Sequence, residues 1–512
     1  MPNEIKRIVM PTLDLNIDRR IVLEAKSLEK TGKSVFIVAA NDRSLPEFDQ
    51  EEGIEVRRPI YNGADKRLYF MFLFYIPVAI LLCFYYVLYF LRPFLDWNVI
   101  RTFKRTGNNI GKIYRWFGRL ATRILVKSRR SARKHWEEHM QTDKFYGTYL
   151  FVVRLHYFSI LLLKKSSAYI LWAFSKFYRM LFIHTSEVCS QILKAITLKS
   201  GFEIFMAGVI DEYGPDAVHA HDLPVLVPAA ICAKRRKIPL IYDSHEIYTE
   251  QEFPLYTKIY LKMKERFFIR RACSIITVNP YLKEFLAKDY KRNDVVVVEN
   301  ATLRRNGYDP CVKHDLFREI YGIQPEKKII LFQGGFAHNR NLLTLIRGME
   351  LLTDDYLLLF MGYGEYRNVM MDLVRDLHLE KKVIFVPPQN QDVLLEYTAS
   401  ADIGVMPYLK SRSINDMYSS PNKLYEYIAA GIPILANNLP FYRDMVERHS
   451  LGIVRDIENH ENFAEAVREM FSLDIHTFRQ NTINTYEKAN WENEAKKIVD
   501  IYSRMEHECE IA

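Results

Sequence analysis

The stretch from Ser419 to Ala436 constrains the fold most, because its pattern predicts a helix and a buried strand joined at one glycine. Leu424 and Ile428 recur at helical spacing. Gly431 stands where the C-terminus of a helix takes a positive φ. The run Ile434-Leu435-Ala436 has the continuous apolarity of a strand that is buried on both faces. A helix followed directly by such a strand predicts an α/β domain with a parallel sheet.

The N-terminal end of this helix is also suited to an anion. Asn422 and Lys423 lie in its first turn, and Glu426 lies one turn later. The positive end of the helix dipole attracts negative charge. Spacing alone supports two interpretations equally: an anion site with a carboxylate beside it, or a structural unit in which Glu426 faces water.

The alternation of strands and helices recurs over most of the chain. It predicts α/β units over residues 5–63, a break at about residue 64, a resumption at about residue 200 and a second series from residue 328. Residues 301–325 are polar and weakly patterned, which is typical of a linker. At 512 residues the chain is too long for one hydrophobic core, so we expect at least two domains.

The break coincides with an apolar run and a basic tract. Leu68–Leu91 contains 24 residues without a charge, which is long enough to cross a bilayer. Arg92–Arg179 carries 19 Lys or Arg and 4 Asp or Glu, while the whole chain has a net charge of only +9. Aromatic apolar surface beside this positive charge fits an anionic membrane better than nucleic acid, for which the sequence has no recognition motif.

Three interpretations of residues 64–199 stay open. A transmembrane hairpin needs a second clean span, but the later apolar patches at 149–163 and 169–183 contain charges. An anchor that lies in the plane of the membrane tolerates charges on one face, and so accommodates the pattern best. A soluble helical insertion would bury the apolar run in its own core.

The six cysteines are scattered and form no CxxC pair. This spacing argues against a disulfide framework and against a zinc site. It is typical of proteins from a reducing compartment.

Polar side chains follow two predicted strands of the first half. His219-Ala220-His221-Asp222 ends one strand, and Asp243-Ser244-His245-Glu246 ends the next. Open α/β sheets bind their ligands at the carboxyl ends of the strands. A single histidine there is often only a loop residue, but two loops that each carry a histidine and an acid favour a functional site.

Glycines follow two predicted strands of the second half. Gly334-Gly335 and Gly362-Tyr363-Gly364 suit a close approach of backbone to phosphate. Neither is a complete phosphate-binding motif, and each alone is well explained as a tight turn. Together with Arg340 and Lys423 they predict a site for a diphosphate.

The order of the elements and several motifs resemble a known family. Two Rossmann-like halves, a linker and a long last helix resemble the GT-B fold, and the motifs resemble glycosyltransferase family four, which is retaining and nucleotide-sugar dependent. The matching motifs are Phe332-Gln333-Gly334-Gly335 through Arg340, Met361–Gly364, Ala401–Pro407, Pro421–Pro433, Asp18-Arg19-Arg20 with Glu24, His219–Asp222 and Tyr242–Glu246. The resemblance covers residues 1–63 and 200–506 and leaves out the basic, aromatic insert.

The resemblance implies that a nucleotide-diphosphate sugar binds to the second half. Glu426 would hold the ribose hydroxyls, and Arg340 would hold the diphosphate. Further donor contacts are implied for Gly334, Gly335, Gly362, Gly364, Asn422 and Lys423. Members of the family use no metal, so the resemblance implies neither a metal nor another cofactor.

The resemblance also places the acceptor on the first half. His221 would lie near the reacting sugar carbon, and the candidate catalytic residues are His221, Asp222 and Glu426. The candidate acceptor-side residues are Asp18, Arg19, His219, His245 and Glu246.

The chain departs from the family pattern at three places. Tyr418 stands where members often have a second glutamate, and Gly335 stands where an arginine is usual. Residues 14–18 replace a Gly-Gly loop. We hypothesise that Lys423 supplies the phosphate charge that is missing at Gly335.

These expectations define an α/β protein of the GT-B class, with two Rossmann-like domains that face a cleft. We expect an acceptor-side domain at 1–63 and 200–310, a largely helical insertion at 64–199, a donor-side domain at 311–485, and a last helix at 486–512 that packs back on the first domain.

We expect the function of a retaining glycosyltransferase at the cytoplasmic face of the membrane. Its partners would be a nucleotide-diphosphate sugar, a lipid-linked or polysaccharide acceptor, and the membrane surface, contacted through residues 66–198. We expect no nucleic acid as partner. The alternatives are another GT-B enzyme, such as a nucleotide-sugar epimerase, and a non-catalytic scaffold.

Overall fold

The computed structural model describes residues 4–61, 199–251, 253–305, 308–312, 314–410 and 413–511. The chain divides into two compact units, one made of Met1–Tyr61 and Glu203–Ala512 and the other of Asn62–Phe202. The predicted insertion at 64–199, with the apolar run Leu68–Leu91, lies almost entirely outside the described residues. Within the described ranges, no helix is both long enough and apolar enough to cross a membrane.

The first domain is built on an eight-stranded sheet with the order β3-β4-β2-β1-β5-β6-β7-β8. Its strands β1 to β8 are Arg7–Pro11, Ser34–Val38, Phe48–Glu51, Ile54–Arg57, Ala217–His221, Leu240–Ser244, Ser274–Thr277 and Val295–Val297. Its helices α1 to α5 are Arg19–Glu29, Gly201–Glu212, Leu223–Arg236, Leu255–Phe268 and Pro280–Tyr290. Strand β3 is antiparallel to β4, and the other pairings are parallel.

The second domain is built on a parallel six-stranded sheet with the order β11-β10-β9-β12-β13-β14. Its strands β9 to β14 are Lys328–Gln333, Tyr356–Met361, Val383–Val386, Ile403–Met406, Ile434–Asn437 and Gly452–Arg455. Helices α6 to α15 are Leu316–Tyr321, Leu342–Gly348, Arg367–Asp376, Leu394–Ala399, Ile414–Met417, Asn422–Ala430, Pro440–Arg448, His460–Ser472, Ile475–Tyr486 and Trp491–Ile511.

The predicted helix–glycine–strand unit is present as α11, Gly431 and β13. Every residue of β13 is buried, as expected for a strand covered on both faces. Gly431 has a φ of 75°, and a Cβ at that position would lie 2.7 Å from the side chain of Ile483. Only glycine therefore fits the turn that ends α11 and starts the strand. The predicted α/β class with two parallel-sheet domains is confirmed.

The last helix, α15, packs against α1 of the first domain. Its first residue, Trp491, donates a hydrogen bond from Nε1 to Oγ of Ser27 at 3.0 Å. Further along, the hydroxyl of Tyr502 lies 3.2 Å from Nδ1 of His219 under the first sheet. The end of the chain is thereby tied to the domain in which the chain begins.

Candidate active site

A cavity of about 410 Å³ opens where the loops after the strands of the two sheets meet. The first domain lines it with His245, Glu246 and Gln251, and the second domain with Arg340 and Tyr408 among others. Strand β6 ends just before His245, and β12 ends just before Tyr408. The cavity therefore lies at the carboxyl ends of strands, the position at which parallel sheets bind ligands.

Glu426 projects from α11 and is held at both carboxylate oxygens. Nε2 of Gln333 donates to Oε2 at 2.5 Å, and Oγ1 of Thr398 donates to Oε1 of Gln333 at 2.9 Å. Nη1 of Arg19, from the opposite domain, lies 3.1 Å from Oε1. The carboxylate side chain is 12% exposed and fixed in orientation, and Glu426 is not among the residues that line the cavity.

Lys423 and Arg340 bring positive charge to the same wall. Nζ of Lys423 donates to the hydroxyl of Tyr408 at 2.8 Å and lies 4.2 Å from the centre of the Phe332 ring. The guanidinium of Arg340 lies 4.5 Å from the centre of the Tyr408 ring. Burial lowers the pKa of Lys423. Burial alone would raise the pKa of Tyr408, but the charges of Lys423 and Arg340 outweigh it and lower that pKa.

The two glycine loops approach each other too closely for side chains. A Cβ at Gly362, where φ is 151°, would lie 2.1 Å from the carbonyl oxygen of Gly334. A Cβ at Gly364, where φ is 155°, would lie 2.2 Å from the carbonyl oxygen of Phe336. A Cβ at Gly334 would lie 3.4 Å from Nζ of Lys423, so this loop borders the lysine. Gly335, by contrast, is exposed with open space around it.

A buried arginine organises the strand ends of the first domain. Arg20 donates from Nε to Glu24 at 2.8 Å and from Nη2 to Asp243 at 2.9 Å. Its Nη1 donates to the carbonyl of Val298 at 2.7 Å. Burial acts to lower the pKa of Arg20, but the two carboxylates outweigh it, so the cation is retained. Burial acts to raise the pKa of Asp243, yet Arg20 holds it well below its usual range.

The histidines at the strand ends form a chain from Asp243 to His221. Nε2 of His245 lies 3.2 Å from Oδ2 of Asp243 and 3.3 Å from Nδ1 of His221. Burial acts to lower the pKa of His245, but Asp243 and Asp222 raise it to about 10. Burial holds the pKa of His221 well below its usual range. At neutral pH a protonated His245 therefore faces a neutral His221.

Asp222 and His219 take different positions from His221. Asp222 has a φ of 66° and accepts a hydrogen bond from the backbone N–H of His245 at 2.9 Å. Burial raises its pKa to about 7. His219 is fully buried and stacks on His221 with ring centres 4.7 Å apart. None of His219, His221 and Asp222 lines the cavity.

One group of side chains near His221 has the spacing of a metal site. Ligand atoms of Glu24, His219, His221 and Asp243 all lie within 4.8 Å of one another. Oε2 of Glu24 and Nε2 of both histidines are buried without a hydrogen-bond partner. Arg20 nevertheless pairs with both carboxylates, and its fixed positive charge would repel a second cation.

The remaining predicted acceptor-side residues connect the two domains. Asp18 caps α1 by accepting from the backbone N–H of Arg20 at 2.7 Å, and its other oxygen lies 3.5 Å from Nδ2 of Asn422. Oε2 of Glu246 accepts from Nδ2 of Asn415 at 3.0 Å. Tyr418, which replaces a glutamate of the family pattern, stacks on Tyr281 of the first domain with ring centres 4.8 Å apart.

Sequence reasoning missed several residues that hold the site together. Gln333 and Tyr408 each stand at or just after the end of a strand, which was the available signal. Arg20 and Asp243 were noticed only within motifs, because the pattern of one chain does not show which charges are paired in the fold. The described structure assigns all four residues to supporting contacts.

Two family models match consecutive parts of the chain. "Glycosyl transferases group 1" matches residues 313–489, and "Glycosyltransferase Family 4" matches residues 193–302. The first match spans most of the second domain and contains Glu426, Lys423 and both glycine loops. The second spans β5 to β8 of the first domain.

Similar proteins extend these matches. The uncharacterized glycosyltransferase MJ1607 of Methanocaldococcus jannaschii is 25% identical over 317 residues, which are 57% of this chain and 76% of that protein. Sucrose-phosphate synthase from Thermosynechococcus elongatus has a TM-score of 0.55 at 14% identity and covers 98% of this chain and 99% of its own. Anabaena Alr3699/HepE in complex with UDP and glucose has a TM-score of 0.50 at 15% identity. The match covers 61% of this chain and 83% of the Anabaena chain. At these identities the two solved structures show the fold, and with the family matches they establish this chain as a GT-B glycosyltransferase of group 1.

Proposed function

We propose that this enzyme is a retaining glycosyltransferase that takes its sugar from a nucleotide-diphosphate sugar. The observation that supports this donor is the fixed carboxylate of Glu426, which Gln333 orients beside the glycine loops. A carboxylate held in this way suits two adjacent ribose hydroxyls, because it accepts one hydrogen bond at each oxygen. The UDP bound to the structurally similar Anabaena protein supports a nucleotide donor.

The diphosphate would lie against Lys423 and Arg340. Both cations meet at Tyr408 on the cavity side of the second sheet, and the N-terminus of α11 adds its dipole. As the bond between the sugar and the phosphate breaks, charge accumulates on the leaving diphosphate, and cations already in position stabilise it. We propose that these cations act without a metal, with Lys423 replacing the arginine that is absent at Gly335.

The acceptor would enter from the side of the first domain. Retention requires its hydroxyl oxygen to bond to the sugar on the face from which the diphosphate departs, with the hydroxyl proton passing to a departing phosphate oxygen. His245 and Glu246 line the cavity on this side, and the neutral His221 lies directly behind His245. We assign to these residues the positioning of the acceptor and of the transferred sugar.

The experiment that tests the reaction is a donor screen with product analysis. The purified protein is incubated with uridine, guanosine and adenosine diphosphate sugars, and release of the nucleoside diphosphate is measured with and without membrane lipid extract. We expect one donor class to be consumed and the product to keep the anomeric configuration of the donor, as determined by NMR. An inverted product contradicts retention, and interconversion of donor sugars without transfer indicates an epimerase.

The membrane location is tested separately. The scattered cysteines and the basic tract support the cytoplasmic face and an anionic membrane as partner. A truncated protein that lacks residues 66–198 and sediments with membranes as strongly as the full chain would refute residues 66–198 as the anchor.

A further inference from the structure

Helix α4 (Leu255–Phe268) exposes an apolar face to solvent. Five large side chains on it are uncovered: Leu255 is 74% exposed, Tyr256 76%, Ile259 53%, Met263 56% and Phe267 48%. Single exposed apolar residues are ordinary on a protein surface. Five on one helix of 14 residues form a patch, and such patches mark interaction sites.

The five side chains share one side of the helix. Leu255, Ile259, Met263 and Phe267 recur every four residues, and Tyr256 lies beside them. The opposite side is buried against the domain through Lys264, Glu265 and Phe268. Helix α4 is therefore amphipathic in an unusual sense, because an apolar row points away from the protein core.

Positive charge borders this row. Lys258, Lys262 and Arg266 recur every four residues along one edge, and Arg270 and Arg271 follow the helix. Between residues 254 and 272 there are six Lys or Arg and one Glu, and that glutamate is buried.

Part of this charge is internally paired. Lys262 and Arg266 both contact Asp289, at 3.3 and 3.2 Å, and the buried Lys264 pairs with Glu203. Lys258, Arg270 and Arg271 form no ion pair with a described carboxylate among the salt bridges of the structure. The outward side of α4 thus stays positive as well as apolar.

We propose that this face of α4 docks on an anionic phospholipid surface, with the helix lying in the plane of the interface. The apolar row would enter the boundary between headgroups and acyl chains, and the basic edge would meet lipid phosphates. Residues 92–179 are a poor candidate to cover this face, because their excess of positive charge would be repelled by the basic edge of α4. In a two-fold pair of copies, the like-charged edges would repel each other.

The position of α4 relates docking to the cavity. Gln251, which lines the cavity, precedes Leu255 by four residues, and His245 and Glu246 belong to the same connection from β6. Docking through α4 would bring this wall of the cavity to the membrane surface. This contact goes beyond the proposed function, because it involves none of the residues 66–198 assigned to the anchor.

Hydrogen–deuterium exchange of the full chain tests the proposal locally. Amide exchange of residues 255–271 is followed without lipid, with phosphatidylcholine vesicles, and with vesicles in which about one-third of the lipid is phosphatidylglycerol. We expect the anionic vesicles to slow exchange in this segment about tenfold, and added salt to weaken the effect. Helix α8 (Arg367–Asp376) is the internal control and should exchange at the same rate throughout.

A matched pair of variants keeps the test specific. Tyr256→Ser with Ile259→Ser and Met263→Ser should abolish the vesicle-dependent protection, because three apolar side chains that would insert into the lipid are lost. Leu351→Ser with Ile320→Ser and Leu473→Ser changes three other exposed apolar residues and should leave the protection intact. Because the readout is local, it does not depend on whether residues 66–198 hold the chain on the membrane.

Three outcomes would overturn the proposal. The first is exchange at 255–271 that no vesicle alters. The second is protection without lipid that increases with protein concentration, which indicates a second copy on the face. The third is protection without lipid that is independent of concentration, which indicates cover by another part of the chain.

Discussion

At the scale of single residues, the proposed donor site depends on charges that are held in place before any ligand arrives. Glu426 is oriented by Gln333, and Lys423 is held between the Phe332 ring and the Tyr408 hydroxyl. Orienting these groups in advance means that binding need not order them, which lowers the free-energy cost of association. The same burial removes water from each of these charged groups, which lowers the stability of the free protein.

Lys423→Met separates the charge of the lysine from its packing. The methionine keeps apolar contact with Phe332 but removes the cation. We expect donor affinity to fall by about 10- to 100-fold, the worth of a charge-assisted hydrogen bond. Thermal stability should not fall, because burial already disfavours the charged lysine. Lys381→Met, at an exposed lysine, is the calorimetric control, and unchanged donor affinity in Lys423→Met would exclude the phosphate role.

The raised pKa of His245 predicts a dependence of stability on pH. Its folded pKa of about 10 exceeds its usual value of 6.5, so its contribution is complete below about pH 6.5 and is lost as pH rises towards 10. The free energy of unfolding in urea should fall across this window by more than about 1 kcal/mol. Asp222, with a pKa of about 7, titrates at the lower edge of this window, and burial lowers the pKa of His221, so the fall between about pH 8 and 10 is assigned to His245.

His245→Gln provides the check on this assignment. The variant should lose the part of the pH dependence that lies between about 6.5 and 10. His476→Gln, at an exposed histidine on α14, should keep the slope of the wild type. An equal slope in His245→Gln and wild type would mean that other groups cause the change.

At the scale of elements, the glycine loops after β9 and β10 set how closely the backbone can approach a donor. Gly362 and Gly364 have backbone conformations that favour glycine, and their Cβ positions are filled by carbonyl oxygens of the first loop. The two loops therefore support each other, and a side chain on one would displace the other.

Gly362→Ala should destabilise the second domain by about 2–4 kcal/mol through backbone strain and steric overlap. Donor affinity should fall as well, since the loop at Gly334 must move. Gly335→Ala is the matched variant for stability, because its Cβ position is open and its unfolding temperature without donor should equal that of wild type. Thermal unfolding with and without donor compares the two, and similar behaviour of both variants would contradict a role for loop packing.

The sequence predicted those elements whose apolar pattern matches what the core buries. The unit of α11, Gly431 and β13 was predicted because a terminating glycine and a buried strand are both local signals. Helix α4 was missed although its apolar row recurs at helical spacing, and the row that such a pattern would assign to a core faces solvent instead. The hairpin of β3 and β4 was missed because β3 is almost entirely exposed and polar.

The sequence predicted residue types for a site but not their pairings. Arg340 and His245 line the cavity, Glu426 contacts Arg19 of the first domain, and Lys423 contacts Tyr408. Which carboxylate pairs with which cation depends on residues far apart in the chain, such as Arg20 with Asp243. Nor did the sequence indicate that Arg19 would form an ion pair with Glu426.

At the scale of the whole molecule, the two domains are joined by polar contacts across the cleft. Nδ2 of Asn279 donates to the carbonyl of Tyr418 at 2.7 Å, and Nδ2 of Asn300 donates to the carbonyl of Ser420 at 2.7 Å. Arg19 adds the ion pair with Glu426 at 3.1 Å. A donor that binds Glu426 would therefore compete with Arg19 for Oε1.

Arg19→Ala should raise the affinity for nucleoside diphosphate up to about fivefold, the worth of a partly exposed ion pair. Arg305→Ala removes another arginine, which pairs with Asp392 and Glu52 but does not touch Glu426, and should leave the affinity unchanged. Calorimetry of both variants decides between competition at Glu426 and a general loosening of the domains. An equal gain in affinity in both would favour loosening.

The most direct test of the donor site is a titration calorimetry cycle with Glu426→Ala and a nucleotide that lacks its ribose hydroxyls. The donor class is set by the screen, and its nucleoside diphosphate is compared with the 2′,3′-dideoxy form. Wild type should bind the dideoxy form at least about tenfold more weakly, as should the control Glu465→Ala. Glu426→Ala should bind both forms equally weakly, because the partner of the hydroxyls is gone. If Glu426→Ala still distinguishes the two nucleotides as wild type does, Glu426 does not hold the ribose and the proposed donor site is wrong.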